Sequence, residues 1–190
     1  MRIEYAHMNE HLIDILTRLE NLIRLGTVAE VDLSVDPPTC RVQTGELLTD
    51  WRPWLAQRAG SARTSWPPSE GEQVVLFSPS GDLGNALVFP AIYSESNPAP
   101  DNHPTRHRTR YPDGAVIEYD PQAGALNAVG IKQATISAEV KITLTTPLVE
   151  CSNDLQVGGK ITAPSAVIDG VTVETHFHDE HGSQTGGPKS

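Results

Sequence analysis

Between residues 10 and 25 apolar side chains recur at Leu12, Leu16, Leu19 and Ile23, a spacing of four, three and four, with Ile13, Ile15 and Leu22 widening the stripe. This is the period of a helix with one apolar face. Gly26 supplies a stop for a helix over residues 1–25, and Arg18 and Arg24 stand near the negative end of its dipole. A stripe this apolar needs a partner, either the chain's own domain or neighbouring helices in an assembly. Its two heptads fall short of the three or four that define a coiled coil.

Beyond Gly26 the pattern changes to short β-like runs at residues 27–31, 40–44, 51–55, 73–78 and 86–93. Turn-forming stretches separate them: Asp36-Pro37-Pro38, the Pro, Ser and Gly of residues 66–71, and those of residues 78–82. Five short strands over residues 26–95 predict a Greek-key barrel of the OB type. Residues 96–112 are rich in Pro, Asn and His and read as a linker or neck. Within it His103 and His107, with Arg106, Arg108 and Arg110, form either a ligand site or a solvated connector; their spacing matches no metal motif.

The clearest periodicity comes later. Ala134, Ile136, Ala138, Val140, Ile142 and Leu144 are apolar, and every residue between them is polar. Such alternation gives a strand one dry face and one wet face. Leu155, Val157, Ile161, Ala163, Ala166, Ile168, Val171 and Val173 carry the pattern on, punctuated by Gly158, Gly159, Pro164 and Gly170. About sixty residues of such strands bury too little surface to stand alone and leave open edges. Three chains wound about one axis supply both a shared interior and a neighbour for each edge, so residues 113–175 predict a homotrimeric intertwined β-helix. The competing reading is the edge of an ordinary β-sandwich.

Composition narrows the picture. The chain has 190 residues, 38% hydrophobic and 5% aromatic, with fifteen Gly and fifteen Pro, which favours a mainly β protein over a helical bundle. The formal charge of -10 disfavours a surface that must attract nucleic-acid phosphates. Cys40 and Cys151 lie far apart in strand-like contexts and read as two buried small side chains, neither a disulfide framework nor a thiolate metal site. The N-terminus lacks a secretory pattern, and no run reaches the ~18 apolar residues of a membrane span, so synthesis in a cytoplasm is expected.

The C-terminal segment, residues 176–190, carries the candidate chemistry. His176 and His178 flank Phe177, and on a continuing strand residues two apart share a face. Two imidazoles from each of three chains make six nitrogens. An octahedral all-nitrogen set suits an ion such as Fe(II) and suits Zn less. Saturated coordination leaves no place for a reactive water, so the ion is expected to be structural, one per trimer. Gly182, Gly186, Gly187 and Pro188 then let the chain turn back and close an apex. His181 joins the ligands, hydrogen-bonds a liganding ring or faces solvent, the last two being favoured because six nitrogens are already supplied, and Asp179 and Glu180 either contact a ligand ring or keep the apex soluble.

Several motifs, in order along the chain, resemble the baseplate assembly protein V family of contractile-tailed phages and R-type bacteriocins. They are residues 26–32, Trp51-Arg52-Pro53-Trp54-Leu55, Arg58-Ala59-Gly60, residues 71–77, Pro79-Ser80-Gly81-Asp82, residues 113–120 and Thr175-His176-Phe177-His178. The resemblance implies an OB-fold collar, a trimeric β-helix and an iron-capped point held by His176 and His178. It further implies a non-enzymatic spike below the tail tube, touching the hub and other baseplate proteins in the virion, and driven through the host outer membrane when the sheath contracts. Two other readings compete. One is an OB-type carbohydrate- or nucleic-acid-binding module on a trimeric stalk. The other is a metallohydrolase using His176, His178, His181 and Asp179 or Glu180, which would leave a coordination position open.

Overall fold

The computed structural model describes residues 2–169, 171–173, 179–180 and 183–184. They fall into two units that meet in sequence between Ala134 and Thr135.

The first unit opens with helix α1, Arg2–Leu22, which passes directly into strand β1, Ile23–Asp32. The helix therefore ends three residues earlier than its periodicity suggested. Ile23, Arg24 and Leu25 pair with Phe77, Leu76 and Val75, so their backbone groups are taken by a sheet. Gly26 is not a helix stop. It lies inside β1, where a Cβ would collide with Cγ1 of Val42 and stand 2.8 Å from the Gln43 carbonyl oxygen. Glycine is required here because β1 presses closely on the next strand.

Strands β2 (Thr39–Thr44), β3 (Leu47–Leu48), β4 (Gln73–Phe77) and β5 (Leu87–Ile92) complete an antiparallel sheet in the order β3-β2-β1-β4-β5. Strand β1 serves both halves: Thr27 lies opposite Gln43 on one side and Gln73 on the other. The expected strand at residues 51–55 does not form a ladder. Instead Arg52 exchanges two backbone hydrogen bonds with Cys40 of β2, at 2.8 and 2.9 Å, while Pro53 and Leu55 bond Val88 of β5 at 3.0 and 2.9 Å. Pro53 has no N–H to donate, which rules out a regular strand, yet its carbonyl still accepts. This segment links β2 to β5 and closes the sheet into a barrel.

The barrel interior is filled by Val28, Cys40, Val42, Val74, Leu76, Ala86 and Val88, with Val31 and Trp54 packed against them. Burial, reinforced by the charge of Glu72, pushes the Cys40 thiol up to about 11, so it sits in the core as a neutral small side chain. Cys151 differs from expectation. It is exposed in the single chain, because its segment has no sheet of its own to enter.

Three further strands follow: β6 (His107–Arg110), β7 (Val116–Asp120) and β8 (Ala125–Val129), an antiparallel meander in the order β6-β7-β8. The end of the expected linker is thus a strand, and the start of the expected shaft, residues 113–129, belongs to this sheet. The turn before β7 is built by Asp113, whose carboxylate accepts the Ala115 N–H at 3.0 Å, and by Gly114 at φ 89°. Trp66 stacks on Tyr111, 6.2 Å between ring centres and 6° between planes, and so joins the long loop of the barrel to this meander.

The second unit is described by itself. Residues 135–166 run without a ladder to any other described residue. Strands β9 (Val167–Ile168) and β10 (Val171–Thr172) then pair as a hairpin, extended by a 2.9 Å bond from Val173 N–H to the Ala166 carbonyl. Strands β11 (Asp179–Glu180) and β12 (Ser183–Gln184) form another short hairpin.

Candidate functional site

The alternating segment is where sequence and structure meet most directly. An extended backbone exposes its N–H and C=O groups on both edges, and only another extended backbone satisfies them in a row. Within one chain the described residues form no ladder with residues 135–164. The apolar side chains have no cover either: Ile136 is 78% and Val140 93% exposed, and Leu144, Leu148, Leu155 and Ile161 are exposed as well. Apolar surface on this scale marks an interface. The alternation that predicts a strand is present, but among the described residues it forms no ladder.

His176 and His178 lie outside the described residues, as do His181, Gly182, Gly186, Gly187 and Pro188. What is described is their frame. Strand β10 and Val173 precede the His-Phe-His stretch, and β11 begins at Asp179, immediately after His178. In the hairpin Asp179 faces Gln184 and Glu180 faces Ser183. Among the described residues, no group of three or more His, Cys, Asp or Glu could hold a metal ion.

Two of the basic residues near the neck, Arg106 and Arg108, are held in ion pairs rather than loosely solvated. The Arg106 guanidinium donates to Asp120 at 2.9 Å and to Asp101 at 3.1 Å, and Arg108 reaches Glu118 at 2.6 Å across the β6–β7 pair. Glu118 and Asp120 are buried. Asp120 also accepts the Gln122 and Ala123 N–H groups at the turn into β8. Arg106, just before β6, and Arg108 within it thus match Asp120 and Glu118, two apart on β7. The signal was visible in the sequence as charges at period two, but a search for hydrophobic alternation passes over it.

This network carries a pH dependence. The Arg106 hydrogen bond, helped by the backbone N–H donors, holds the Asp120 carboxyl below the ordinary 3.8. At Asp101 burial pulls upward, but Arg106, the His103 N–H and Arg108 together outweigh it and the value is again lowered. Groups with a lowered folded pKa contribute stability that is present above their unfolded value and lost as pH falls through the folded one. We expect the Trp66–Tyr111 near-ultraviolet circular dichroism signal to weaken below about pH 4, with a smaller acid response in Asp120→Asn. Equal acid responses in the two proteins would show that the network is not the titrating element.

A cleft of about 500 Å³ lies between Leu55, Trp66, Pro67, Pro68, Pro90 and Ala91. Its charged wall is Glu72, but that carboxylate already accepts the Ser69 N–H at 3.0 Å and the Ala91 N–H at 2.9 Å. It pins Ala91 at φ 77°, a conformation unusual for a residue with a Cβ. The carboxylate therefore acts on the barrel's own loops, which gives the carbohydrate- or nucleic-acid-module reading little support.

A closed β-barrel, a charge-locked meander and an apolar-faced segment left uncovered by the described residues define a class: a mainly β protein with a long exposed apolar face. Similarity to known proteins makes this specific. Residues 24–93 match the family described as the type VI secretion system/phage-baseplate injector OB domain, and residues 130–175 match the phage spike trimer family. The spike protein of Escherichia phage P2 is 39% identical over 199 aligned positions, covering 90% of this chain and 93% of that protein. The chain belongs to the phage baseplate spike family. No helix among the described residues is long and apolar enough to cross a membrane.

Proposed function

We propose that three copies of this chain form the central spike of a contractile-tail baseplate, a mechanical part that sheath contraction pushes through the host outer membrane. The observation that carries this reading is the uncovered alternating segment, which coincides with the residues matched to the phage spike trimer family. Three extended chains about one axis bury each other's apolar faces and satisfy each other's edges, which one chain cannot do. The barrel becomes a collar toward the tail tube and hub. The protein is made in the host cytoplasm and resides at the baseplate tip of the virion. It catalyses nothing, since the work of piercing comes from the sheath.

The donor set fits a structural ion. His176 and His178 from each chain supply six neutral imidazole nitrogens, a ligand type that suits iron, and when bound the ion would hold together the three ends that otherwise fray. The two histidines bind, and Asp179 at the start of β11 follows them directly. Native mass and elemental analysis test this reading, with a trimer carrying about one iron per three chains expected from octahedral six-nitrogen binding. A monomer with one zinc per chain would overturn it. His176→Ala combined with His178→Ala removes the metal and leaves trimers assembled through the strands; loss of the trimer in that variant would make the metal essential to assembly.

A further inference from the structure

Helix α1 starts well ahead of the apolar stripe that begins at Leu12, so its register is counted over more than that stripe. Its 21 residues, Arg2–Leu22, span three heptads. By count, Tyr5, Leu12 and Leu19 fall at position a, and Met8, Ile15 and Leu22 at position d. Met8, Leu12, Ile15 and Leu19 are each more than half exposed, and Leu16, at the margin of the seam, is about half exposed.

The barrel grips this helix without covering the seam. Ser78 N–H donates to the Leu22 carbonyl at 2.9 Å, and Gly81, at φ 69°, approaches Arg18 so closely that a Cβ would strike its backbone. Arg18 falls at position g, off the a and d stripe. The grip sets where the helix leaves the barrel, and residue 22 passes to residue 23 of β1 with no linker between. Helices in proteins draw most of their stability from packing an apolar face rather than from propensity, so α1 needs a partner along that face.

We propose that the partner is α1 of the two other copies, forming a parallel three-stranded coiled coil ahead of the barrel; this rests on the trimer reading above. Leu12 at a with Ile15 at d is a combination that favours more than two strands. The exposed parts of Met8, Leu12, Ile15, Leu16 and Leu19 sum to on the order of 500 Å² per chain, or about 500 Å² for each of three pairwise contacts, less than the about 1,200–2,000 Å² of an interface that stands alone, so the helices depend on chains joined elsewhere. Chains already joined through their shafts also hold the three helices at an effective concentration of about millimolar. The spike is then clamped at both ends of the sequence, by a coiled coil at the start and by the histidines near the end.

The test uses the full chain with the exposed Cys151 replaced by serine and one new thiol, Leu12→Cys or Leu19→Cys, compared with Thr17→Cys at the outward position f. Mild oxidation is expected to link two of the three chains in the seam variants and none in Thr17→Cys, with native mass reporting the trimer independently. A trimer whose seam thiols do not cross-link overturns the coiled coil while leaving the spike reading intact, and would place α1 in a groove of another baseplate protein. Absence of a trimer in every variant overturns both. As a second measurement, Leu12→Glu with Leu19→Glu is expected to lose most of its helical circular dichroism while remaining trimeric. Unchanged helicity there would also overturn the coiled coil.

Discussion

Val140→Asp with Ile142→Asp is expected to leave the first unit folded and to abolish the trimer. Both residues belong to the apolar set of the alternating segment, and Val140 is 93% exposed in the single chain, so the substitutions cost almost nothing there. In the trimer they place six carboxylates inside a narrow shared interior. Taking an ion out of water costs several kcal/mol after relaxation, and like charges around one axis add repulsion, so the total reaches on the order of 10 kcal/mol or more. The lost apolar burial adds about 2 kcal/mol per side chain. That exceeds what most assemblies have to spare, and sedimentation should report monomers at micromolar concentration. Thr143→Asp, on the polar face, serves as the control and keeps the trimer. Persistence of the trimer in the double variant would mean that the even-numbered face is not the buried one.

Gly26→Ala is expected to have the largest effect in the barrel. The added Cβ would meet Cγ1 of Val42, which could rotate away only into a filled core, and the Gln43 carbonyl oxygen at 2.8 Å, which is held in the β1–β2 ladder. Overpacking against backbone costs about 3 kcal/mol, a large share of the roughly 5–15 kcal/mol that keeps a domain folded. A midpoint lowered by about 10 °C follows for a unit of this size. Gly60→Ala, where nothing lies within 4 Å of the new methyl, should melt close to the parent protein. The experiment also separates two roles for Gly26. A helix stop would accept alanine and gain helicity, whereas a glycine at a strand crossing would lose the β1–β2 contact.

The alternating segment and the barrel strands were legible in the sequence, because period and residue type are local properties, whereas His176 and His178 lie outside the described residues. Four of the five barrel strands lie close to where periodicity placed them. The exception, residues 51–55, failed as a strand because Pro53 removes a donor, and its actual role depends on reaching Cys40 and Val88, which are distant in sequence. The ion-pair network was equally hidden: Arg106 and Arg108 read as a solvated run until β6 pairs with β7 and sets Glu118 and Asp120 opposite them.

The sequence by itself determined that the chain is mainly β, that its later half carries one apolar face, and that two histidines follow it. Each is a statement about which side chains repeat at which interval, and the backbone geometry of strand and helix makes the interval meaningful. Only the tertiary structure decided that Gly26 marks a strand crossing rather than a helix end, that α1 stops at Leu22 and passes straight into β1, and that residues 135–166 form no ladder with the described residues of their own chain. Those are questions of what lies next to what. Neighbours in space are chosen by competition among all segments for buried surface and hydrogen bonds, and no local pattern contains that result.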